Sequence, residues 1–192
     1  METDEVSVNQ PGKVAYLGYM EFDNGGSYRG AILVTDDWGK PLEFRCTAQV
    51  KTTSVQRTLY GSTLMPHVLV ELIAKPLMDS LNEEPVAILV SDETFLDLRH
   101  NVDVPVVQIR RQGTDLKVTA ASDGEGNQNI VMDCESGKFA PIIIEAHWEF
   151  PDDTNSCASL LKELFGRWDV VEPFERLHKG LEFVHKDKVL AS

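Results

Sequence analysis

The sequence predicts an α/β (α+β) fold: a three-stranded antiparallel meander extended by central strands into a mixed sheet, with helices packed on it and a helical pair at the C-terminus. Three observations predict it. Apolar residues alternate in the first fifty positions, which is typical of antiparallel strands. Short runs of only apolar residues follow, as in strands covered on both faces. Between and after these runs the apolar residues recur at helical spacing.

The first three segments form the predicted meander. Residues 13–22 carry apolar side chains on both faces, and the Asn24-Gly25 pair that follows is a strong hairpin signal because both residues tolerate positive φ. Residues 29–35 make the second strand. Residues 42–50 alternate strictly between apolar and polar side chains, which predicts a half-buried third strand.

The pattern then changes period. Residues 63–81 have helical spacing, with Pro76 expected to kink or break the helix. Residues 86–90 predict a central strand, residues 94–98 a short helix, and residues 104–109 another buried strand.

The rest of the chain is less regular. Residues 116–120 predict a short strand, residues 122–129 a polar loop, and residues 139–150 a long strand. Two amphipathic helices follow, with apolar faces over 160–168 and 170–184.

Three regions summarise this organisation. Residues 1–12 are expected to be a flexible lead-in, residues 13–111 an α/β core, and residues 112–192 an acidic strand and loop region with the C-terminal helices, as part of the same compact domain.

Composition excludes several classes. The 192 residues include 18 Lys and Arg against 31 Asp and Glu, a formal charge of −13. No apolar run approaches the roughly 18 to 20 residues of a membrane helix, and the acidic start lacks the features of a signal peptide, so a cytoplasmic protein is expected. Cys46, Cys134 and Cys157 are odd in number and lack CxxC spacing, which argues against a disulfide framework or a thiolate zinc site.

The acidic charge is concentrated in residues 115–153, which hold nine acids and two bases. Such a surface repels phosphate backbones and anionic lipid. The sequence therefore argues against direct nucleic-acid or membrane binding, and the acidic segment is compatible with a protein partner that has a cationic surface or with a bound divalent metal.

Residues 14–98 resemble the ribonuclease H-like fold. The resemblance rests on the order of elements and on Phe22-Asp23-Asn24-Gly25-Gly26, Gly30-Ala31-Ile32-Leu33, the helix carrying Glu71, and Val90-Ser91-Asp92. In that family, acids from the first strand, first helix and fourth strand converge on divalent metals. The resemblance implies Asp23, Glu71 and Asp92 as catalytic metal ligands, with Mg²⁺ or Mn²⁺ as the cofactor. On this resemblance, the α/β core of residues 13–111 is expected to be ribonuclease H-like.

The same acids also have structural interpretations. Glu21 is an equally good first-strand acid by strand parity, and Lys75 offers Glu71 an ordinary ion pair four residues away. Asp92 can cap the short helix that follows it.

The histidines suggest no metal site in sequence. His67 and Glu71 share a helical face but lack a third ligand, and His147 and Glu149 are expected on a solvated strand face. His178 is expected at the surface.

Two functions follow. The main expectation is a non-catalytic accessory subunit without a cofactor, which binds a protein partner through Phe165, Trp168 and Phe174. The alternative is a divalent-metal-dependent nuclease of ribonuclease H-like fold that uses Asp23, Glu71 and Asp92.

Overall fold

Eight strands form one mixed sheet in the computed structural model, which describes residues 12–113 and 129–190. The predicted α/β class is therefore confirmed. The predicted strand 116–120, residues 1–11 of the lead-in and nearly all of the loop 122–129 lie outside the described residues. The proposed division of the chain near residue 111 stays a prediction.

The strands follow one another as predicted in the first half of the chain. They are β1 (Val14–Phe22), β2 (Ser27–Thr35), β3 (Pro41–Cys46), β4 (Val50–Lys51), β5 (Ala87–Val90), β6 (Val106–Arg111), β7 (Asn129–Met132) and β8 (Ile142–Ala146). Their order across the sheet is β3-β2-β1-β5-β6-β8-β7, with β4 paired to β2. β1, β5 and β6 run parallel, and the remaining pairs are antiparallel.

Helical segments connect and cover the strands. They are α1 (Ser54–Tyr60), a 3₁₀ turn (Gly61–Thr63), α2 (Leu64–Pro66), a π-helical segment (His67–Ala74), α3 (Lys75–Asp79), a 3₁₀ helix (Glu93–Asn101), α4 (Asp152–Phe165) and α5 (Glu172–Leu190). None of the described helices is long and apolar enough to cross a membrane.

The sequence predicts a kink or a break at Pro76, and the structure shows that the helix is not broken there. The π-helical segment before it changes the hydrogen-bond spacing, so that the Lys75 N–H donates to the Val70 carbonyl five residues back. Pro76 then falls in the first turn of α3. A proline is tolerated there because its missing N–H needs no acceptor.

Two predicted strands are shorter than expected. The predicted strand 42–50 becomes β3 and the separate two-residue β4, and the predicted strand 139–150 contains only β8. β7 was not predicted, because its four residues carry no clear alternation.

The sheet separates two apolar cores. One face of β1, with Val14 and Tyr16, packs under α4 and α5. The other face, with Ala15 and Leu17, packs against the helical segments that precede and follow β5. Because strand side chains alternate between faces, neighbouring residues of β1 belong to different cores.

β3 is an outer strand of the sheet and begins with Pro41. The Glu43 carboxylate of β3 accepts hydrogen bonds from the backbone N–H groups of Asn82 and Glu83, both at 2.9 Å. It also accepts one from Arg45 Nε at 2.8 Å. These bonds fix the turn after α3 beside β3.

Candidate functional site

The carboxyl ends of β1 and β5 meet at one edge of the sheet. Leu17 lies opposite Val90, and the Ser91 N–H donates to the Leu17 carbonyl at 3.1 Å. Continuing this parallel register places Asp92 level with Tyr19. Asp92 therefore occupies the strand-end position that the ribonuclease H-like resemblance implies.

Tyr19 lies between two carboxylates at this edge. Burial, followed by the charges of Asp92 and Glu21, raises the pKa of Tyr19 to about 12. Glu21 shares a face of β1 with Tyr19 because the two are separated by two residues. The Tyr19 ring is fixed by edge contacts with Phe95, whose centroid is 5.9 Å away. The phenol thus stays protonated at neutral pH, between two acids.

Asp92 also caps the 3₁₀ helix, as the sequence allowed. Its Oδ1 accepts a hydrogen bond from the Thr94 N–H at 2.9 Å. Its second carboxylate oxygen is not used by this cap.

Asp23 lies farther along the chain, in the turn between β1 and β2. Asn24 and Gly25 have the predicted positive φ angles, 51° and 81°, and Asp23 also has a positive φ of 55°, which was not predicted. The Asp23 carboxylate accepts hydrogen bonds from Ser27 Oγ at 2.7 Å and Gln49 Nε2 at 2.8 Å. Four residues of extended chain separate Asp23 from Tyr19, which corresponds to about 13 Å.

Glu71 lies on the exposed side of the π-helical segment. Its Oε2 accepts a hydrogen bond from Lys75 Nζ at 2.8 Å, the ion pair expected from their spacing. The structure does not bring Asp23, Glu71 and Asp92 together: in the ranges 12–113 and 129–190 they do not form a group of ligand atoms close enough to share one ion.

The opposite face of the sheet at this level carries no matching acid on β1. A side chain at Gly18 would begin 2.9 Å from Ser91 Oγ and 3.6 Å from His178 Nε2. His178 is half-buried rather than fully exposed as expected, and this burial lowers its pKa. Gly18 allows this close approach of α5 to β1.

A second group of ligand-bearing side chains lies at the other end of the sheet. His100, His147 and Glu149 each offer a ligand atom, and these atoms all lie within 4.8 Å of one another. Ala146 at the end of β8 pairs with Val107 near the start of β6, so the group lies at the amino end of β6. Asp92 is at the carboxyl end of β5, about four residues or 13 Å away along the strand direction.

Sequence reasoning missed this group for two reasons. His147 was expected on a solvated strand face, but β8 ends at Ala146, just before it, and His147 is only 7% exposed. His100 lies 47 positions before it in the sequence, so no local spacing connects them. The only local signal is the i, i+2 relation of His147 and Glu149.

The predicted partner-binding aromatics are part of the core. Phe165 and Phe174 are 1% and 6% exposed, and the Phe174 ring makes an edge contact with Tyr16. Trp168 is half-buried, and its Nε1 donates to the Asp37 carbonyl at 3.1 Å. The sheet and its loops cover Phe165 and Phe174 and half of Trp168, and a role of these three side chains as partner anchors stays a prediction.

Comparison with solved structures shows what this fold resembles. The Endonuclease V of Streptomyces avermitilis superposes with a TM-score of 0.60 at 12% sequence identity, covering 94% of this chain and 87% of the other. For the Endonuclease V of Bacillus subtilis the TM-score is 0.56 at 14% identity, covering 91% and 83%. For the catalytic domain of human Endonuclease V it is 0.55 at 12% identity, covering 95% and 86%. No protein-family model and no curated protein matches the sequence.

These similarities correct three expectations. A non-catalytic accessory subunit is the wrong interpretation, since the fold is shared with structures named as endonucleases, and the nuclease alternative is better supported. The argument against direct nucleic-acid binding is wrong for the same reason. The expectation of no cofactor is also wrong, because the resemblance implies divalent metals and the structure brings His100, His147 and Glu149 together. The fold of this chain is similar to that of these Endonuclease V structures over 91% to 95% of its length.

Proposed function

We propose that this protein acts on nucleic acid as a divalent-metal-dependent nuclease. The observation that carries the proposal is the extent of the structural similarity, which covers 91% to 95% of the chain in the Endonuclease V structures. Asp92 supports it, because an acid stands at the end of β5 where the ribonuclease H-like resemblance implies a metal ligand.

As candidate ligands of a magnesium-type ion, the pair Asp92 and Glu21 is better supported than the trio Asp23, Glu71 and Asp92. Glu21 shares a face of β1 with Tyr19, and Asp92 is level with Tyr19 on the neighbouring strand, so both acids belong to the same edge of the sheet. Mg²⁺ is commonly bound by one or two carboxylates, with its other positions left to water and substrate phosphate. Asp23 and Glu71 stay predictions as ligands, since each would first have to release its present hydrogen-bond partners.

A bound ion and the Tyr19 side chain would have different roles at this edge. A divalent ion bound there would supply the positive charge that stabilises the developing charge of a phosphodiester in hydrolysis. Tyr19, protonated at neutral pH, is a hydrogen-bond donor between the two acids. Its packing against Phe95 fixes the donor in place.

Two arginines at the carboxyl end of β6 form ion pairs with nearby acids. Gln108 lies opposite Val90, so Arg110 at the carboxyl end of β6 is level with Asp92. Arg110 pairs with Glu145 at 3.8 Å, and Arg111 pairs with Asp169. We propose that these ion pairs partly neutralise the acidic surface where a phosphate backbone would approach.

A cleavage assay tests the proposal. End-labelled single- and double-stranded DNA and RNA are incubated with the protein in Mg²⁺, in Mn²⁺ or in a chelator. We expect cleavage that requires the metal, that Asp92→Asn abolishes, and that Asp103→Asn, an exposed acid before β6, leaves intact. Asparagine also caps helices well, so Asp92→Asn keeps the cap. Absence of cleavage of every substrate in both metals would refute the proposal.

A further inference from the structure

The His100, His147 and Glu149 group has the donor set of a transition-metal site. We propose that these three side chains bind a Zn²⁺-class ion at the amino end of β6, separate from the carboxylates of the β1–β5 edge. Two imidazoles and one carboxylate with mutually close ligand atoms match the three protein ligands of open zinc sites. The proposal concerns a different end of the sheet from the proposed nuclease site and does not depend on it.

The ligand atoms already face one another. His100 Nε2 lies 3.6 Å from Glu149 Oε2, and the rings of His100 and His147 are nearly perpendicular with centroids 4.9 Å apart. An ion between these atoms would require only small side-chain movements, because zinc–nitrogen and zinc–oxygen bonds are about 2.0–2.2 Å long.

Asp97 orients His147 from the far side of the ring. Asp97 Oδ1 lies 3.4 Å from His147 Nε2, while His147 Nδ1 accepts a hydrogen bond from the Glu149 N–H at 3.2 Å. This arrangement places the ring proton on Nε2 and leaves a lone pair on Nδ1. A carboxylate that holds one ring nitrogen while the other binds metal is the usual support of a metal-binding histidine. An ion at Nδ1 would replace the weak bond to the Glu149 N–H.

A partly buried ion pair holds the two sides of the group in position. Arg99, next to His100, donates from Nε to Asp153 Oδ2 at 2.7 Å, and its guanidinium stacks over the Phe150 ring at 4.5 Å. Phe150 follows Glu149 directly. The 3₁₀ helix and the segment after β8 therefore approach each other at a fixed distance, and the ligands do not have to be ordered by the ion alone.

The chemistry of the donors selects the ion. Imidazole suits Zn²⁺ and neighbouring transition metals, whereas Mg²⁺ and Ca²⁺ prefer sites made only of oxygen. The side chains of His100 and Glu149 are 43% and 42% exposed, so the group opens to solvent. His147 also lines a groove of about 310 Å³ with Pro66 and Trp148. A fourth coordination position would therefore be accessible from outside.

Metal titration of tag-free protein tests the site. Isothermal calorimetry with Zn²⁺ and separately with Mg²⁺ measures affinity and stoichiometry, and Co²⁺ reports the ligand geometry through its visible absorption. We expect one Zn²⁺ per chain, no Mg²⁺ binding at this site, and an absorption band in Co²⁺ typical of tetrahedral coordination.

Three variants and one control locate the ion. We expect His100→Asn and Glu149→Gln to abolish the single high-affinity event, and the positioning variant Asp97→Asn to weaken it about 10–100-fold. His67→Asn is the matched control, because His67 lines the neighbouring groove and packs on Tyr60 but is not in the group. Equal Zn²⁺ affinity in the control and in the wild type supports the site. Unchanged Zn²⁺ binding in His100→Asn and Glu149→Gln, or no binding by the wild type, overturns the proposal.

Discussion

Arg99 and Asp153 are 54 positions apart in the sequence and form a hydrogen-bonded ion pair at 2.7 Å. Asp153 Oδ2 also accepts a hydrogen bond from the Val106 N–H at 3.1 Å, so one carboxylate joins the 3₁₀ helix, β6 and α4. The Asp153 side chain is only 8% exposed. Its loss would leave a guanidinium and a backbone donor with an incomplete set of partners.

We therefore expect Asp153→Ala to lower the free energy of unfolding by about 3–5 kcal/mol, the cost of removing one partner from a buried pair. Chemical denaturation of the wild type and the variant measures this difference in unfolding free energy. The neighbouring exposed Asp152 provides the control, and Asp152→Ala should change the unfolding free energy by less than about 0.5 kcal/mol. Equal effects of the two exchanges would contradict the role given to Asp153.

Gly30 allows the close packing of β2 on the π-helical segment. A Cβ added at Gly30 would lie 2.0 Å from Ile73 Cγ2, and Ile73 is fully buried. We expect Gly30→Ala to destabilise the fold by about 1–3 kcal/mol through overpacking. Thermal or chemical unfolding measures the change.

Gly166, at the end of α4, is the matched position for that exchange. A Cβ there would meet nothing closer than 3.8 Å. Gly166→Ala should keep the stability of the wild type, and a loss as large as that of Gly30→Ala would show that packing on Ile73 is not the cause.

The raised pKa of Tyr19 predicts that the protein loses stability at alkaline pH. Its folded-state pKa of about 12, raised first by burial, exceeds the ordinary value of 10.0. A raised pKa contributes stability that is complete below pH 10 and is lost as the pH rises toward 12. Tyr16 acts in the same direction, because burial also raises its pKa.

We expect Tyr19→Phe to reduce the fall of the unfolding free energy between pH 10 and about 12, without removing the part due to Tyr16. Denaturation midpoints measured across this range give the comparison. Tyr60→Phe, at an exposed position, is the control. A pH profile for Tyr19→Phe that coincides with the wild type would exclude the predicted contribution.

Mn²⁺ binding distinguishes a site made by Asp92 and Glu21 from one made by the trio Asp23, Glu71 and Asp92. Mn²⁺ that binds only the folded state raises the unfolding temperature. We expect this rise to disappear in Asp92→Asn and Glu21→Gln and to persist in Glu71→Gln, because the Glu71 carboxylate is held by Lys75 on the helix surface. A rise that depends on Glu71 and Asp23 would instead favour the trio implied by the resemblance.

Much of the fold could be predicted because local patterns and packing agree. β1, β2 and β5 carry continuous apolar runs, and all three are central in the sheet. The length of β8 was overestimated. The apolar residues of the predicted strand 139–150 extend beyond both ends of the observed strand. Pro76 was misjudged because the shifted hydrogen bonds of a π-helical segment have no signature in the residue types.

The candidate sites were harder to predict, because they depend on register and on tertiary contacts. Asp92 could be selected from its place after an apolar strand. The position of Tyr19 beside it follows only from the pairing of β1 with β5. His100 and His147 meet because the 3₁₀ helix and the end of β8 are brought together by Arg99, a contact between distant parts of the chain.

The outer strand β3 also affects how molecules meet one another. Unpaired edges of sheets can add strands from a second molecule and lead to aggregation. β3 opposes this with Pro41, which has no N–H to donate, and with the charged pair Glu43 and Arg45, 2.7 Å apart. The turn at Asn82 is bound to the same Glu43. β3 thus ends the sheet on this side, and its growth into a shared sheet between molecules is disfavoured there.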